Sequence, residues 1–309
     1  MDYRNKKVAV LGAGESGEAA AVLLAEEGAM VTLLDTADEK RLRPKIERFR
    51  RFNLAVQVIS GEAAVSDASL YDRAILSPGI DPAVPLVQNF IRRRIDMIGE
   101  LELAYELCKC PVVAITGTNG KTTTTQLVER MFNGSGVRTL ACGNISPAFA
   151  AVVRRSGELD LMTIEVSSFQ LEGIRTFRPR IAVWLNLSPN HLDRYRSMEE
   201  YRDAKLRIFE NQTEEDFAVV NLRDNLPPLK ARKITFSAYK PGGDYELRDG
   251  VIHYHGAPVL AMADTKLRGM HNAENLMAAL AVGHAHGVAH EKLVAPLRDY
   301  TAPAHRCEF

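Results

Sequence analysis

AITGTNGKTTTT, residues 114–125, contains an apolar strand, a glycine turn and a Lys-Thr pair that opens a helix. In this order, backbone N–H groups of the loop and of the helix start point toward an anion, and the lysine adds a mobile cation. The common form G-x-x-x-x-G-K-[ST] is not matched, because Ile115 stands where the first glycine belongs. The alternative is a glycine turn that only caps a helix. The strand–loop–helix context favours a nucleotide-binding loop.

A second glycine-rich loop lies near the N-terminus, where Gly12, Gly14 and Gly17 follow an apolar run. Their spacing matches a dinucleotide-binding fingerprint, and Asp35 lies where a ribose-binding acid would be. However, a helix N-terminus selects only for a phosphate group. Because the chain has a separate nucleotide loop, it has less need of NAD at this one. Both a dinucleotide such as NAD and another nucleoside diphosphate therefore stay candidate ligands.

Apolar runs alternate with amphipathic helices along the chain, which predicts an α/β protein with parallel sheets. The first part contains predicted strands at 7–11, 30–34, 55–59 and 73–76 and predicted helices at 16–27, 38–51, 85–94 and 99–110. The second part contains predicted strands at 160–166, 181–186 and 217–220, predicted helices at 198–211 and 271–287, and a hairpin over 244–262 that turns at Asp249-Gly250. The domain boundary is expected near residue 100.

The composition is that of an ordinary globular protein. The 309 residues suggest two domains, and Lys plus Arg equals Asp plus Glu, at 39 each. Such a balanced charge gives no field for nucleic acid or an anionic membrane. The N-terminus shows no signal-peptide pattern and no apolar run is long enough to span a bilayer, so we expect a cytoplasmic protein with neither partner. The four cysteines lack the spacing of a zinc site. Since no secretion signal is seen, we expect them to be reduced thiols.

Six motifs in a fixed order resemble those of the Mur ligases, most specifically the members that add D-glutamate. They are TGTNGKTTT, EVSSFQLE (165–172), NLSPNHLDRY (186–195), YRDAKLRIFE (201–210), GMHNAENLMAAL (269–280) and PAHRCEF (303–309). The resemblance covers essentially the whole chain. It implies an α/β fold with an N-terminal Rossmann-like parallel-sheet domain (1–100) that binds the UDP substrate. It further implies a central P-loop ATPase-type domain (101–302) and a stub (303–309) of a C-terminal domain. Because the rest of that C-terminal domain is missing, we expect the isolated chain to be inactive.

The implied activity is an ATP-dependent, ADP-forming amide ligase of peptidoglycan precursor synthesis. Such an enzyme adds D-glutamate to UDP-N-acetylmuramoyl-L-alanine through an acyl phosphate, with Mg²⁺ as cofactor. The phosphoryl step needs in-line placement and neutralised charge, so cations should dominate the site. We expect a monomer.

The resemblance also implies the catalytic residues Lys121, Glu165, His191 and Lys205. The metal ligands would be Thr122, Glu165, His191 and, if carbamylated by CO₂, Lys205. From the residues alone, Glu165 ends an apolar strand, where a carboxylate suits a hard cation but could also be a surface acid. Propensity alone would make Lys205 a solvated helix lysine, and Asp193 could equally cap a helix.

The remaining implied contacts are to the two nucleotides. ATP would be bound by Gly117, Thr118, Asn119, Gly120, Lys121, Thr122, Thr123, Asn272, Asn275 and Arg306. The UDP substrate would be bound by Gly14, Glu15, Ser16, Gly17, Asp35, Thr36, Ser77, Pro78, Gly79, Asn144, Ser167 and His191. The family often has an arginine after Thr36, where this chain has Ala37, so the uracil contacts are open.

Three other functions are compatible with parts of the sequence. They are a Mur ligase for another amino acid, an NAD-dependent oxidoreductase that uses the first glycine loop, and a non-catalytic nucleotide-binding module. His284, His286 and His290 do not predict a metal site, because helix residues two apart point in different directions.

Overall fold

The structure is a computed structural model that describes residues 2–301. The described chain divides into two compact units. Unit 1 comprises Met1–Cys108, Ser146–Arg155 and Phe169–Phe177, apart from Met1, which lies outside the described residues. Unit 2 comprises Lys109–Ile145, Ser156–Ser168 and Arg178 onward. The chain therefore leaves unit 2 twice, through short segments at 146–155 and 169–177, to pack in unit 1.

Unit 1 is built on a parallel five-stranded sheet of order β3-β2-β1-β4-β5. Its strands are β1 (Lys7–Leu11), β2 (Met30–Asp35), β3 (Val56–Ser60), β4 (Arg73–Leu76) and β5 (Met97–Gly99). Its helices are α1 (Glu15–Glu26), α2 (Glu39–Arg51), α3 (Glu62–Val65), α4 (Pro85–Arg92), α5 (Glu100–Leu107), α7 (Phe149–Val152) and α8 (Ser168–Glu172), the last beginning one residue before the 169–177 segment.

Unit 2 is built on a nine-stranded mixed sheet of order β14-β13-β12-β11-β10-β9-β6-β8-β7. Its strands are β6 (Val112–Thr116), β7 (Thr139–Gly143), β8 (Leu161–Glu165), β9 (Ile181–Trp184), β10 (Phe217–Asn221), β11 (Arg232–Ser237), β12 (Tyr245–Arg248), β13 (Val251–Tyr254) and β14 (Ala257–Ala261). Its helices are α6 (Lys121–Gly134), α9 (Met198–Leu206), α10 (Met270–Ala285) and α11 (His290–Val294), with short 3₁₀ turns at Val153–Glu158, Arg207–Phe209, Met262–Asp264 and Ala295–Leu297. The strands from β6 to β12 are parallel, and β12 to β14 form an antiparallel meander.

The core of unit 2 explains why α10 is apolar on every side. Eleven of its sixteen residues are buried, from Ala273 to Gly283, against α6 and the sheet. A helix that is apolar all round is a buried one, because no face is left for solvent. Gly287 has φ +87 just past the helix, which confirms the predicted glycine stop.

The α/β class and the parallel sheets are confirmed, and the predicted hairpin is confirmed with its turn at Asp249 and Gly250, both at positive φ. The predicted helix over 99–110 was too long. Met97–Gly99 is the edge strand β5, and α5 spans only Glu100–Leu107. The predicted helix over 198–211 also ends earlier, at Leu206, and continues as a 3₁₀ turn. Between residues 2 and 301, no helix is long and apolar enough to cross a membrane.

Candidate nucleotide and magnesium site

The loop between β6 and α6 requires glycine at two positions. At Gly117, a Cβ atom would lie 2.9 Å from Leu185 Cβ. Gly120 has φ +83, and a Cβ atom there would lie 2.3 Å from the side-chain oxygen of Asn275. Both glycines are thus explained by close approach and backbone conformation. They lie three residues apart, so the loop closes without a glycine at Ile115.

Two lysine side chains, one from α6 and one from α9, donate to the same carbonyl oxygen of this loop. Lys121 Nζ donates to the carbonyl oxygens of Gly117 and Thr118, each at 3.0 Å. Lys205 Nζ, from α9, donates to the same Gly117 oxygen at 2.9 Å. The Lys205 side chain is almost fully buried, and its ammonium lies 4.8 Å from the ring centroid of Tyr201. The interpretation of Lys205 as a solvated helix lysine is therefore wrong, because α9 turns this residue toward the loop.

The environment of Lys205 favours the neutral amine. Burial disfavours the charged form, and repulsion by Lys121 adds to it, so the pKa falls to about 7 although the Glu165 carboxylate opposes the shift. A lysine whose pKa lies near 7 is partly neutral at neutral pH, and the neutral amine is able to act as a nucleophile.

Glu165 ends β8 and is buried. One carboxylate oxygen accepts a hydrogen bond from the Thr122 hydroxyl at 2.5 Å, and the other accepts one from Asn144 Nδ2 at 2.8 Å. The alternative of a surface acid is therefore wrong. The structure brings together three predicted site residues, Thr122 of α6, Glu165 at the end of β8 and Asn144 just after β7. Each has a side-chain oxygen atom of the kind that binds a hard cation.

His191 lies in the loop after β9, exposed and at φ +54, with its ring centroid 6.0 Å from that of Tyr201. Asp193 follows in an exposed turn. Helix α9 is capped by Ser197, whose side chain accepts from Glu200 N–H, so the cap alternative for Asp193 is wrong. Throughout residues 2–301, no three His, Cys, Asp or Glu side chains are grouped closely enough to hold a metal ion.

The predicted ATP contacts at α10 lie against the loop. Asn275 Oδ1 accepts from Thr124 Oγ1 at 3.2 Å, and Asn275 Nδ2 donates to Asn272 Oδ1 at 3.3 Å. Asn272 is partly exposed and also donates to the Arg268 carbonyl oxygen. Arg306, the last predicted ATP contact, lies outside the described residues.

Further residues hold the loop from the side, and they were not predicted from the sequence. Asn119 N–H donates to Asn186 Oδ1 at 2.9 Å, and Thr118 N–H donates to the Asn186 carbonyl oxygen at 2.9 Å. The Thr118 hydroxyl also accepts from Ser188 N–H at 3.0 Å and lies 3.3 Å from the Tyr201 hydroxyl. The polar run after the apolar strand β9 was the available signal, because carboxyl ends of neighbouring parallel strands meet at one edge. Thr123 lies in the first turn of α6.

In unit 1, the first glycine loop lies between β1 and α1. Gly12 has φ +96, and a Cβ atom on Gly17 would lie 1.9 Å from the Gly12 carbonyl oxygen. Asp35 Oδ2 accepts from Ala13 N–H at 2.6 Å, and Asp35 Oδ1 accepts from Ala37 N–H at 2.8 Å. Both oxygens of this predicted ligand contact are thus engaged in holding the loop.

The other predicted UDP contacts of unit 1 gather at the same sheet edge, after β1, β2 and β4, which are adjacent strands. Gly14, Glu15, Thr36 and Gly79 are exposed, Ser16 and Pro78 are partly exposed, and Ser77 is buried with its hydroxyl near Gly14. This is the edge where open α/β sheets bind ligands. The predicted contacts Asn144, Ser167 and His191 belong to unit 2.

Comparison with known proteins matches both parts of the chain. Residues 115–283 match the Mur ligase middle domain, and residues 6–99 match the Mur ligase MurD-like N-terminal domain. The chain is 39% identical over 319 residues to a UDP-N-acetylmuramoylalanine–D-glutamate ligase of Geotalea uraniireducens, covering all of this chain and 70% of that protein. A ligase of the same name from Geobacillus is 38% identical, over 99% of this chain and 69% of that protein.

Solved structures show the same fold at low identity. A UDP-N-acetylmuramate:L-alanyl-gamma-D-glutamyl-meso-diaminopimelate ligase from Neisseria meningitides has a TM-score of 0.69 and 16% identity, over 97% of this chain and all of that chain. A UDP-N-acetylmuramate-alanine ligase from Thermotoga maritima has a TM-score of 0.60 and 19% identity, over 95% and 68% of the two chains.

Proposed function

The chain belongs to the Mur ligase family, and from this premise we propose that it adds D-glutamate to UDP-N-acetylmuramoyl-L-alanine with ATP. The observation that carries the proposal is the 36–39% identity to D-glutamate ligases over essentially the whole chain. The chain spans about 70% of the length of these relatives. A Mur ligase for another amino acid is the second candidate.

The reaction has two balanced steps. A carboxylate oxygen of the substrate attacks the γ-phosphorus of ATP, the bond to the ADP oxygen breaks, and an acyl phosphate forms. The amine of D-glutamate then attacks the acyl carbon, phosphate leaves and a proton is lost from nitrogen. Both steps depend on positioning and on neutralised phosphate charge.

The phosphate loop would perform this positioning. We propose that ATP is held by Gly117, Thr118, Asn119, Gly120, Lys121, Thr122 and Thr123, with Asn272, Asn275 and Arg306 at the base and ribose. Lys121 supplies a cation at the loop. The backbone N–H groups at the start of α6 supply the anion-binding end of a helix, since Gly120 gives this helix no side-chain cap.

Mur ligases use Mg²⁺, which when bound neutralises phosphate charge. The residues present fit such an ion, because the Thr122 hydroxyl and the Glu165 carboxylate, which are hydrogen-bonded to each other, are hard oxygen ligands that lie side by side. We propose that these two residues hold it together with His191 and Lys205. Lys205 can contribute only after carbamylation, since Mg²⁺ prefers oxygen ligands and the unmodified lysine side chain has none.

The carbamate would form when the neutral amine of Lys205 attacks CO₂, with a C–N bond formed and a proton released. Its support is the burial of Lys205 and a pKa lowered to about 7. The product is an anion beside Lys121, which would replace the repulsion between two ammonium groups by attraction.

For the UDP substrate, we propose the edge of unit 1 formed by Gly14, Glu15, Ser16, Gly17, Thr36, Ser77, Pro78 and Gly79, followed by Asn144, Ser167 and His191 toward the reacting end. Asp35 would act by holding this loop in shape. We further propose the domain division 1–100, 101–302 and 303–309, a cytoplasmic monomer, and no nucleic-acid or membrane partner.

Titration calorimetry tests this proposal against an NAD-dependent oxidoreductase. The chain should release or take up heat with UDP-N-acetylmuramoyl-L-alanine and with a non-hydrolysable ATP analogue, and give none with NAD. Heat with NAD alone would contradict the ligase. A chain that binds the ATP analogue but not the UDP substrate would instead support a nucleotide-binding module.

A further inference from the structure

Two glutamates near the start of α5 are buried and engaged in different ways. Both side chains belong to residues that are 1% exposed. Glu102 faces the end of the 169–177 segment, and Glu100 faces the 146–155 segment and Gln170. One short helix therefore contacts both segments of the chain that return to unit 1.

Glu102 uses both carboxylate oxygens. Oε1 accepts from Thr176 N–H at 2.7 Å and from the Thr176 hydroxyl at 2.5 Å. Oε2 accepts from Arg175 N–H at 2.8 Å and from Phe177 N–H at 3.1 Å. Four donors from three successive residues converge on one carboxyl group, so both of its oxygens act as acceptors.

Glu100 differs in this respect. Its Oε1 accepts from Ala150 N–H at 2.7 Å, while its Oε2 is buried without a hydrogen-bond partner among the residues described. Burial raises its pKa to about 7, against the opposing hydrogen bonds from Ala150 and Gln170, and no charged group contributes to the shift. The surroundings of Glu100 thus favour its neutral form more than those of an exposed carboxyl group do.

Further contacts to backbone atoms of β5 hold the 169–177 segment. Gly99 N–H donates to the Gly173 carbonyl oxygen at 3.0 Å, and a Cβ atom on Gly173 would lie 2.8 Å from Gly99 Cα. The Arg175 guanidinium also donates to the Met97 carbonyl oxygen at 2.7 Å. The segment is therefore held from its middle to its end, and it begins two residues after Ser167.

We propose that Glu102 is a positioning residue for the UDP-substrate site, because it fixes the segment whose start sets the placement of Ser167. This inference rests on the proposed function, in which Ser167 contacts the UDP substrate. The phosphate loop contacts Val166, the residue before Ser167, through the Thr116 hydroxyl. Because Asn186 and Ser188 also hold this loop, ATP binding should depend on Glu102 much less than binding of the UDP substrate does.

The substitution Glu102→Gln tests this role, with Glu100→Gln as its matched control. At position 102 an amide keeps one acceptor oxygen and, in either orientation, turns its NH₂ group against at least one N–H donor. At position 100 the amide resembles the protonated acid, because only one oxygen accepts. By calorimetry at pH 7, Glu102→Gln should bind UDP-N-acetylmuramoyl-L-alanine at least tenfold more weakly. Its affinity for a non-hydrolysable ATP analogue should change less than twofold, and Glu100→Gln should bind both ligands like the unaltered chain.

Thr176→Val serves as a milder variant if Glu102→Gln does not fold. It removes one of the four donors and keeps the charge, and we expect a two- to fivefold loss for the UDP substrate alone. Unchanged affinity in these variants, or an equal loss for both ligands, would overturn the positioning role. If the unaltered chain binds the ATP analogue but not the UDP substrate, the proposed function fails, and the positioning role with it.

Discussion

Lys121 and Lys205 donate hydrogen bonds to one acceptor, the carbonyl oxygen of Gly117, at 3.0 and 2.9 Å. Two ammonium groups that share an acceptor repel each other, and the buried one yields by losing its proton more easily. Burial is the main reason that the pKa of Lys205 is lowered to about 7; repulsion by Lys121 adds to the shift, and the nearby Glu165 carboxylate opposes it without reversing it. The pair is a buried amine of lowered pKa beside the ammonium group of Lys121, at the start of α6.

The first prediction is that Lys205 of the folded chain forms a carbamate. With a pKa of about 7, about half of the amine is neutral at pH 7, compared with about one in three thousand for an ordinary lysine. In ¹³C-labelled bicarbonate at pH 7.5, NMR should show a carbamate carbonyl signal that disappears in Lys205→Ala. The exposed-lysine control Lys233→Ala should keep it. A signal that survives Lys205→Ala would contradict the prediction.

The second prediction concerns Lys121. Lys121→Ala should abolish ATP-dependent phosphoryl transfer without unfolding the protein, because a charge near the transferred group acts mainly in the transition state. The assay is phosphate release in a ligase of the relatives' full length that contains this chain, with a thermal melt to check folding. The exposed Lys240→Ala serves as control. Turnover near that of the unaltered ligase would show that Lys121 has no part in the chemistry.

Periodicity and glycine spacing predicted most of the fold. Runs such as 8–11 and 181–185 are apolar and buried on both faces, so their strand character needs no tertiary information. Strands β7 and β11 were missed, because each mixes polar with apolar residues and is stabilised by its neighbours in the sheet. Strand β5 was missed because it pairs for only three residues at the sheet edge, and the predicted helix over 99–110 ran three residues past the end of α5 at Leu107.

The site was less accessible from the sequence. The burial of Lys205 depends on how α9 packs against the loop at Gly117, 88 residues earlier in the chain, which no local pattern contains. The interpretation of this lysine came only from the resemblance to a family. The glutamates of α5 were seen only as part of an apolar-periodic helix, because their partners lie more than forty residues away.

The third prediction is that Glu100 makes the free energy of unfolding depend on pH. Its pKa is raised from 4.5 to about 7 in the folded chain, so the folded state retains a proton that the unfolded state has lost. The contribution of Glu100 to the free energy of unfolding is therefore fully present below pH 4.5. It is lost as the pH rises through 7, by about 3 kcal/mol at most.

Replacement of the Glu100 carboxyl group by an amide should remove this loss of stability at high pH, because the amide does not ionise. Glu100→Gln should raise the urea midpoint at pH 8 and change it little at pH 5, while the exposed-glutamate control Glu214→Gln should change neither. Equal effects of Glu100→Gln at the two pH values would contradict the raised pKa.

The last prediction concerns an aromatic and histidine cluster formed by Tyr245, Tyr254, His284 and His290. The Tyr254 hydroxyl lies 2.9 Å from His284 Nε2, and the Tyr245 hydroxyl lies 2.5 Å from His290 Nε2. The two imidazole rings stack with centroids 5.4 Å apart. The sequence interpretation that these histidines form no metal site stays a prediction. The geometry instead joins α10 and α11 to strands β12 and β13.

Acid should weaken this cluster. Burial lowers the pKa of both histidines, and repulsion by His255 on His284, and by His284 on His290, acts in the same direction. Asp244 opposes the shift at His284 and Glu291 opposes it at His290, each without reversing it.

A histidine that stays neutral when folded binds its proton more readily when unfolded, so stability should fall as the pH drops below about 6.5. Urea midpoints measured between pH 8 and pH 5 should therefore decrease, and in the double variant His284→Asn/His290→Asn they should decrease less steeply, from a lower starting value because both tyrosine hydrogen bonds are altered. The control His271→Asn replaces an exposed histidine of the same helix and should keep the original slope. If the double variant loses stability toward acid as steeply as the unaltered chain, protonation of this cluster is not the cause.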